Sequence, residues 1–209
     1  MKIVACYQGT PEWHAARCGR ATASEFASVL AKGEGKTRAA YMRKVIGERL
    51  TGKVTESFNN AHTQRGSEQE AMARLYYEST IDDFVEQVGF CQHDTLMAGA
   101  SPDGLVGNNG GCEFKCVLPH VHVETMLRGA YPPEHKPQIQ GGLWIAEREW
   151  WDFGSYCPDM LEPRMRLYRY RVYRDDVYIK TLEAEVIRFL GDVEDKLAQL
   201  RGDVERLAA

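Results

Sequence analysis

The chain has 209 residues, 44% of them hydrophobic and 27% charged, with a formal net charge of −4. That is enough for one domain with a sizeable core and too little for two comfortable ones. No apolar run approaches the roughly 20 residues that span a bilayer, and the opening Met1-Lys2-Ile3-Val4-Ala5-Cys6 lacks the apolar region of a secretory signal, so a cytoplasmic protein is expected, with no membrane partner.

The first clear boundary signal lies at Thr22 and Glu25, which stand in the Ser/Thr-x-x-Glu relation of a capping box. It predicts a helix from about Ala23 through Phe26, Val29 and Leu30. Arg17 just upstream and Ser24 in the first turn would then offer a phosphate a guanidinium, a hydroxyl and free N–H groups together. The plainer reading is a helix cap beside a surface arginine. A second helix is expected from about Thr37 to Leu50, stopping near Gly52. Lys36, Arg38, Arg43, Lys44 and Arg49 fall in or beside it. The acidic total hides this cluster, because residues 1–60 carry ten Lys and Arg against five Asp and Glu, and residues 61–209 carry sixteen against twenty-five. A local basic surface of this kind can follow a phosphate backbone, so the net charge does not exclude nucleic acid. A solvated helix face is the bland alternative.

A third helix is expected from about Thr63 to Tyr77, with Glu68, Glu70 and Glu78 among Ala71, Ala73, Leu75 and Tyr76. Gly66 precedes Glu70 by one turn on the same face, which leaves room for close approach and singles out Glu70. Glu68 and Glu78 read as solvated acids. Strands are then expected at Phe84–Cys91 and Leu96–Ala100.

The most informative stretch runs from Gly99 to Cys116. Its Pro102-Asp103-Gly104 and Asn108-Asn109-Gly110-Gly111 steps are turn chemistry, so the residues between and after them read as a hairpin in which Asp103 and Glu113 can meet. Alternation sends Cys112, Phe114 and Cys116 to one face and Glu113 and Lys115 to the other. Two close carboxylates repel unless a divalent cation lies between them, and an all-oxygen ligand set selects Mg²⁺ or Mn²⁺ over Zn²⁺. A lysine beside them can orient or activate a bound water, which is the layout of metal-assisted phosphodiester hydrolysis. The six cysteines, Cys6, Cys18, Cys91, Cys112, Cys116 and Cys157, lack a paired framework and are expected as buried thiols; Cys112 and Cys116 form at most half a zinc site.

Beyond Pro119, helices are expected at His120–Arg128 and, past Pro132-Pro133, at Lys136–Ala146. Gln138 and Gln140 sit there among Ile139, Leu143, Trp144 and Ile145. A glutamine in such an apolar helix needs a polar partner, so one of the two is expected to reach the site or the substrate. His120 and His122, two residues apart, read as loop or helix-start residues. A strand at Trp150–Tyr156, an Arg/Tyr strand at Leu167–Tyr173 and a long helix from about Asp175 towards Leu207 complete the chain. Leu190, Val193, Leu197, Leu200, Val204 and Leu207 give that helix a narrow apolar seam, for the sheet or for a neighbouring subunit. No repeat or linker interrupts the chain, so residues 1–209 are treated as one domain.

Pro102-Asp103 followed by Glu113-Phe114-Lys115 resembles the PD-(D/E)XK nuclease signature. Trp13-His14 with Arg17, Gly19 and Thr22-Ala23-Ser24, Gly66 with Glu70 and Ala73, Ser101-Pro102-Asp103-Gly104-Leu105, Glu113-Phe114-Lys115-Cys116, and Gln138-Ile139-Gln140 with Trp144 together resemble the phage lambda exonuclease, or YqaJ-like viral recombinase, family. That resemblance implies a three-layer α/β fold with a central mixed sheet flanked by helices. It further implies Mg²⁺-dependent 5′-to-3′ degradation of one strand of duplex DNA, a homotrimeric ring, a single-strand annealing partner, and a phage or prophage protein working in a bacterial host. By motif, Asp103, Glu113, the Phe114 carbonyl and Glu70 would hold Mg²⁺, two ions per site, with Mn²⁺ as substitute. Lys115 would activate water, and Gln138 or Gln140 would sit near that lysine or the scissile phosphate. An endonuclease of the same fold and a silent DNA-end-binding scaffold are the alternatives.

Overall fold

Two long strands running side by side in the same direction organise the molecule. The structure, a computed structural model, describes residues 1–31, 36–55 and 61–208, with the side chains of all of these except 36, 61–68, 207 and 208. In chain order the elements are β1 (Lys2–Val4), α1 (Pro11–Arg17), β2 (Ala21–Thr22), α2 (Phe26–Leu30), α3 (Lys36–Thr51), α4 (Ala61–Glu78), β3 (Val85–Glu86), β4 (Phe90–Gln92), β5 (Ala98–Ala100), β6 (Gly104–Val106) and β7 (Gly110–Cys116). Then follow α5 (Pro119–Arg128), α6 (Lys136–Ile145), β8 (Trp150–Tyr156), β9 (Leu167–Tyr173) and α7 (Asp176–Ala208).

β7 and β8 pair in parallel from Gly110 opposite Trp150 to Cys116 opposite Tyr156, and α5 and α6 make the crossover that a parallel pair requires. β9 adds antiparallel to β8, and β6 and β3 extend the other side, giving the order β3-β6-β7-β8-β9. A smaller mixed sheet, β1-β4-β5-β2, lies beside it. The expected α/β architecture is present, with the mixed sheet in two pieces. One face of the larger sheet is covered by α4, whose Ala73 and Tyr77 pack on Cys112, Phe114 and Tyr156. α6 packs on β5, β7 and β8, and α7 lies behind it against α2 and α3.

The expected Phe84–Cys91 strand is two strands in two different sheets. The reason is Gly89: a Cβ there would lie 2.2 Å from the Cys6 carbonyl oxygen, so the backbone leaves one sheet to pass the segment after β1 and joins the other as β4. The capping box also fails. The Thr22 hydroxyl caps no backbone N–H of the turn it precedes, residues Ala23–Glu25 are a 3-10 turn, and only five residues of α-helix follow. Glu25 instead accepts the Ser28 hydroxyl at 3.0 Å. A real cap lies earlier and was not anticipated: Thr10 accepts the Trp13 N–H at 3.3 Å, with Pro11 at the first helical position of α1.

The seam of α7 is buried at Leu190, Val193 and Leu197, continuing a buried run through Ile179, Leu182, Val186 and Phe189, but ends there; Leu200 and Val204 are exposed, and the Leu207 side chain lies outside the described residues. Tyr41 stacks on Phe189 at 5.2 Å. Arg38 pairs with Asp192 at 2.7 Å and Arg49 with Glu194, so these two arginines of the basic helix hold α7 rather than standing ready for phosphates. The Lys36 side chain lies outside the described residues. Of the cysteines, Cys91, Cys112 and Cys157 are buried and Cys6, Cys18 and Cys116 half-buried; all are free. His122 is a fully buried residue in the first turns of α5, its ring nitrogens bonded to the Ser155 hydroxyl and the Met165 carbonyl, each at 2.8 Å.

Candidate active site

Strand alternation along β7 puts Glu113 and Lys115 on the face opposite Cys112 and Phe114, and α6 lays Gln138 over them. Lys115 Nζ donates to Glu113 Oε1 at 2.7 Å and to Gln138 Oε1 at 3.2 Å, while Gln138 Nε2 donates to the same Glu113 oxygen at 2.5 Å. Asp103 sits in the turn that enters β6; its own N–H donates to the Cys112 carbonyl at 3.2 Å, and its carboxylate accepts the Phe114 N–H at 2.5 Å. The hairpin therefore brings Asp103 and Glu113 together, both only 6% exposed.

Electrostatics follow from that burial. The Asp103 carboxyl is pushed well above the usual carboxylate range, first by burial, then by the charge of Glu113 and by contact with Glu70, against the lowering effect of the Phe114 N–H. Burial alone would lower the Lys115 pKa, but Glu113, Asp103 and Glu70 more than offset it and the amine is held above its ordinary value. Glu70, on α4, thus lies close to Asp103, and the two line a common cavity. The Glu68 side chain lies outside the described ones.

Among the described residues no three His, Cys, Asp or Glu side chains are already gathered into a cage for an ion. Glu113 is held by Lys115 and Gln138, and Asp103 by a backbone N–H. The donor set still fits a hard divalent cation. Asp103 and Glu113 crowd negative charge into a buried space close to Glu70, these carboxylates offer only oxygens, and the thiols of Cys112 and Cys116 pack with Ala73 and Tyr77 of α4.

A cavity of about 160 Å³ opens onto this cluster, lined by Asp103, Glu113 and Gln138 at one end and by Trp13, Arg17, Ser24 and Ser101 at the other. Arg17 Nη1 donates to the Ser101 hydroxyl at 2.8 Å, its Nη2 reaches the Ser24 hydroxyl at 3.5 Å, and its guanidinium stacks on Trp13 with 4.3 Å to the ring centre. Trp13 Nε1 also donates to Ser101 at 2.9 Å. Burial lowers the Arg17 pKa, opposed by Tyr41, Glu25, Glu48 and Glu113, and a guanidinium remains a cation there. Thr22 bonds Ser24 at 3.3 Å and so steadies that hydroxyl. The sequence assigns no role to Ser101, which enters only as part of a motif, and does not single out Gln8. Ser101 precedes the Pro-Asp turn and Gln8 donates to the Pro102 carbonyl at 2.8 Å, so both act on the loop that carries Asp103.

Gln140 does not join this group. Its Nε2 donates to the Tyr173 carbonyl and its Oε1 accepts the Asp175 N–H, each at 2.9 Å, because its place on α6 faces the β9–α7 junction. Gln140→Ala should lower unfolding free energy by about 1–3 kcal/mol, the range for leaving buried partners unsatisfied, and leave turnover of the folded protein unchanged. Denaturant unfolding alongside an activity assay on the same sample checks this; lost turnover without lost stability would place Gln140 back in the site.

The fold is that of the PD-(D/E)XK nuclease class. The YqaJ-like viral recombinase domain matches residues 12–149, and the chain belongs to that family. Two solved structures of LHK-Exo, an alkaline exonuclease from Laribacter hongkongensis, are similar to it over 95% of this chain and all of theirs, each with a TM-score of 0.88; one, a complex with dAMP, is 40% identical and the other 39%. A phage-related exonuclease from Haemophilus somnus 129PT shares the fold at 13% identity, with a TM-score of 0.68 over 87% of this chain and 96% of that one. No curated protein matches.

Proposed function

We propose that the protein is a Mg²⁺-dependent exonuclease that degrades one strand of linear double-stranded DNA in the 5′-to-3′ direction from a 5′-phosphorylated end, leaving 3′ overhangs for annealing recombination. The observation that carries this reading is the single cavity joining an anion-binding end, Arg17 with Ser24 and Ser101, to the carboxylates and lysine at the other. A cavity with these two ends suits a terminal nucleotide, with its 5′-phosphate at Arg17 and its 3′ linkage at Asp103. The alkaline exonuclease to which the chain is similar binds dAMP, a deoxynucleoside monophosphate, which supports a pocket of this chemistry.

Asp103, Glu113, Glu70 and the Phe114 carbonyl would hold the divalent ion or ions, which when bound supply a more acidic water and offset charge on the phosphate. Lys115 holds a water or a phosphate oxygen beside Glu113, and Gln138, bonded to both, keeps the lysine and the carboxylate in register. Arg17 fixes the terminal phosphate and so the register of the strand. A homotrimeric ring, a single-strand annealing partner and a place in the cytoplasm of a phage-carrying bacterium belong to the same proposal. No helix among the described residues is long and apolar enough to cross a membrane.

The test compares 5′-phosphorylated linear duplex with closed circular duplex, each with Mg²⁺ and with EDTA. Mononucleotides should appear only from the linear substrate and only with Mg²⁺. Cutting of the circle would make the protein an endonuclease, and release in EDTA would remove the metal from the scheme.

A further inference from the structure

Asp103 has space on two sides. Besides the cavity at Arg17, a second one of about 200 Å³ reaches Asp103 from the direction of α4, lined by Tyr7, Gln8, Glu70, Arg74 and Gln87. Gln8 lines both, so the two cavities meet at the loop that carries the carboxylate. The first has the chemistry of a terminal nucleotide, but the second is not explained by it.

Arg74 stands one turn beyond Glu70 on α4 and is half-buried. Its partners among the described residues are neutral: Nη1 donates to the Asp103 carbonyl at 3.4 Å, and the guanidinium lies against the Gln87 side-chain amide, whose oxygen in the favourable orientation accepts from Nε at 3.1 Å and Nη1 at 2.7 Å. No carboxylate among the described residues lies within ion-pair distance of it. A half-buried guanidinium with neutral partners that lines a cavity is a site for an anion. Tyr7, which lines the same cavity, is 78% exposed and so free to take a planar group against its ring.

A strand cut at Asp103 is covalently continuous, so the nucleotide following the terminal one has to lie on the far side of that residue. We infer that the second cavity seats this next nucleotide of the cleaved strand, with Arg74 contacting the phosphate on its 3′ side and Tyr7 stacking on its base. The assignment rests on the proposed placing of the terminal nucleotide at Arg17, and it adds a recognition site for the strand that remains after each cut. Base stacking on an aromatic ring is tolerant of sequence, as a nuclease advancing through any DNA requires. Losing the Arg74 contact should weaken the register of the scissile linkage, because the phosphate it holds lies one nucleotide from the reacting one.

The experiment measures release of the first nucleotide from duplexes that carry one neutral methylphosphonate, at each of the first five linkages from the 5′ end in turn. In the wild-type protein, apart from the scissile linkage itself, the neutral linkage between the second and third nucleotides should slow release most, by about tenfold, in line with a lost charged hydrogen bond. Arg74→Gln should slow the unmodified duplex by a similar factor and show no further loss with that neutral linkage, because the two changes remove one contact. An abasic second nucleotide and Tyr7→Ala should show the same non-additivity. If the Arg74→Gln and neutral-linkage losses multiply, Arg74 only braces the Asp103 peptide and the inference falls. A wild-type scan with its maximum elsewhere overturns it without any variant, which covers the case that Arg74→Gln does not fold. Failure of the underlying reading looks different: the unmodified wild-type control would cut closed circles or ignore the 5′ end.

Discussion

Lys115→Ala should reduce cleavage of linear duplex by about 10²- to 10⁴-fold, the range for removing a positioned proton-handling group, while duplex affinity changes little. The amine acts at one phosphate, whereas affinity for DNA comes mainly from distributed phosphate contacts. Its geometry makes the substitution specific, since Lys115 Nζ bonds both Glu113 and Gln138 and no other side chain among the described residues reaches both. Single-turnover cleavage and equilibrium binding, measured at one salt concentration, separate the two effects. Equal loss of binding and cleavage would contradict the role. Lys115→Arg adds a second reading, because it keeps the charge but replaces a point donor with a planar fork; retained activity would mean that only charge balance at Glu113 is needed. Asp103→Ala and Glu113→Ala should be inactive through lost ligands.

Arg17→Ala should abolish most of the preference for a 5′-phosphate over a 5′-hydroxyl end. A terminal phosphate carries extra charge and extra acceptor oxygens, and a guanidinium beside two hydroxyls responds to both. The expected loss is about 1.5–3 kcal/mol, or roughly ten- to more than a hundredfold in relative rate. Because α2 is five residues long and preceded by a 3-10 turn, the N–H groups and dipole of a well-formed helix contribute less than the capping-box reading supposed. More of the discrimination therefore falls on Arg17, Ser24 and Ser101. Competition between 5′-phosphorylated and 5′-hydroxyl duplexes in one tube reads it directly. A wild-type protein that digests both ends equally, or a variant that keeps the full discrimination, would reduce this pocket to a structural contact.

Much of the site was legible because it lies on regular structure with local signals. The turn residues Pro102-Asp103-Gly104 and Asn108-Asn109-Gly110 delimited the hairpin, and the period of two then placed Glu113 and Lys115 on one face without any knowledge of the rest of the fold. β8 and β9 have the bounds expected of them, since aromatic-rich runs on either side of a Pro-containing loop carry a strong strand signal. What was not legible depends on distant partners. Gln138 and Gln140 are equivalent by sequence, and only the packing of α6 sends one to Lys115 and the other to Tyr173. Arg38 and Arg49 look like phosphate ligands until α7 arrives with Asp192 and Glu194. The split at Gly89 is set by how close Cys6 comes, 83 residues earlier in the chain, and β1 and β2 are too short to announce themselves.

The division of the strands into two sheets bears on how length is measured along DNA. Arg17 and Ser24 flank β2 of the small sheet, whereas Glu113 and Lys115 lie on β7 of the large one. The chain crosses between the sheets directly, from the end of β5 at Ala100 through Ser101, Pro102 and Asp103 to the start of β6. In the proposed scheme one end of that tripeptide touches the terminal phosphate through Arg17 and the other end faces the linkage to be cut. The gauge of a single nucleotide is then written in covalent bonds, with proline stiffening its middle. Breathing of the two sheets against each other would tilt this ruler but hardly stretch it, and each step along the strand would stay the same length even in a loosened protein.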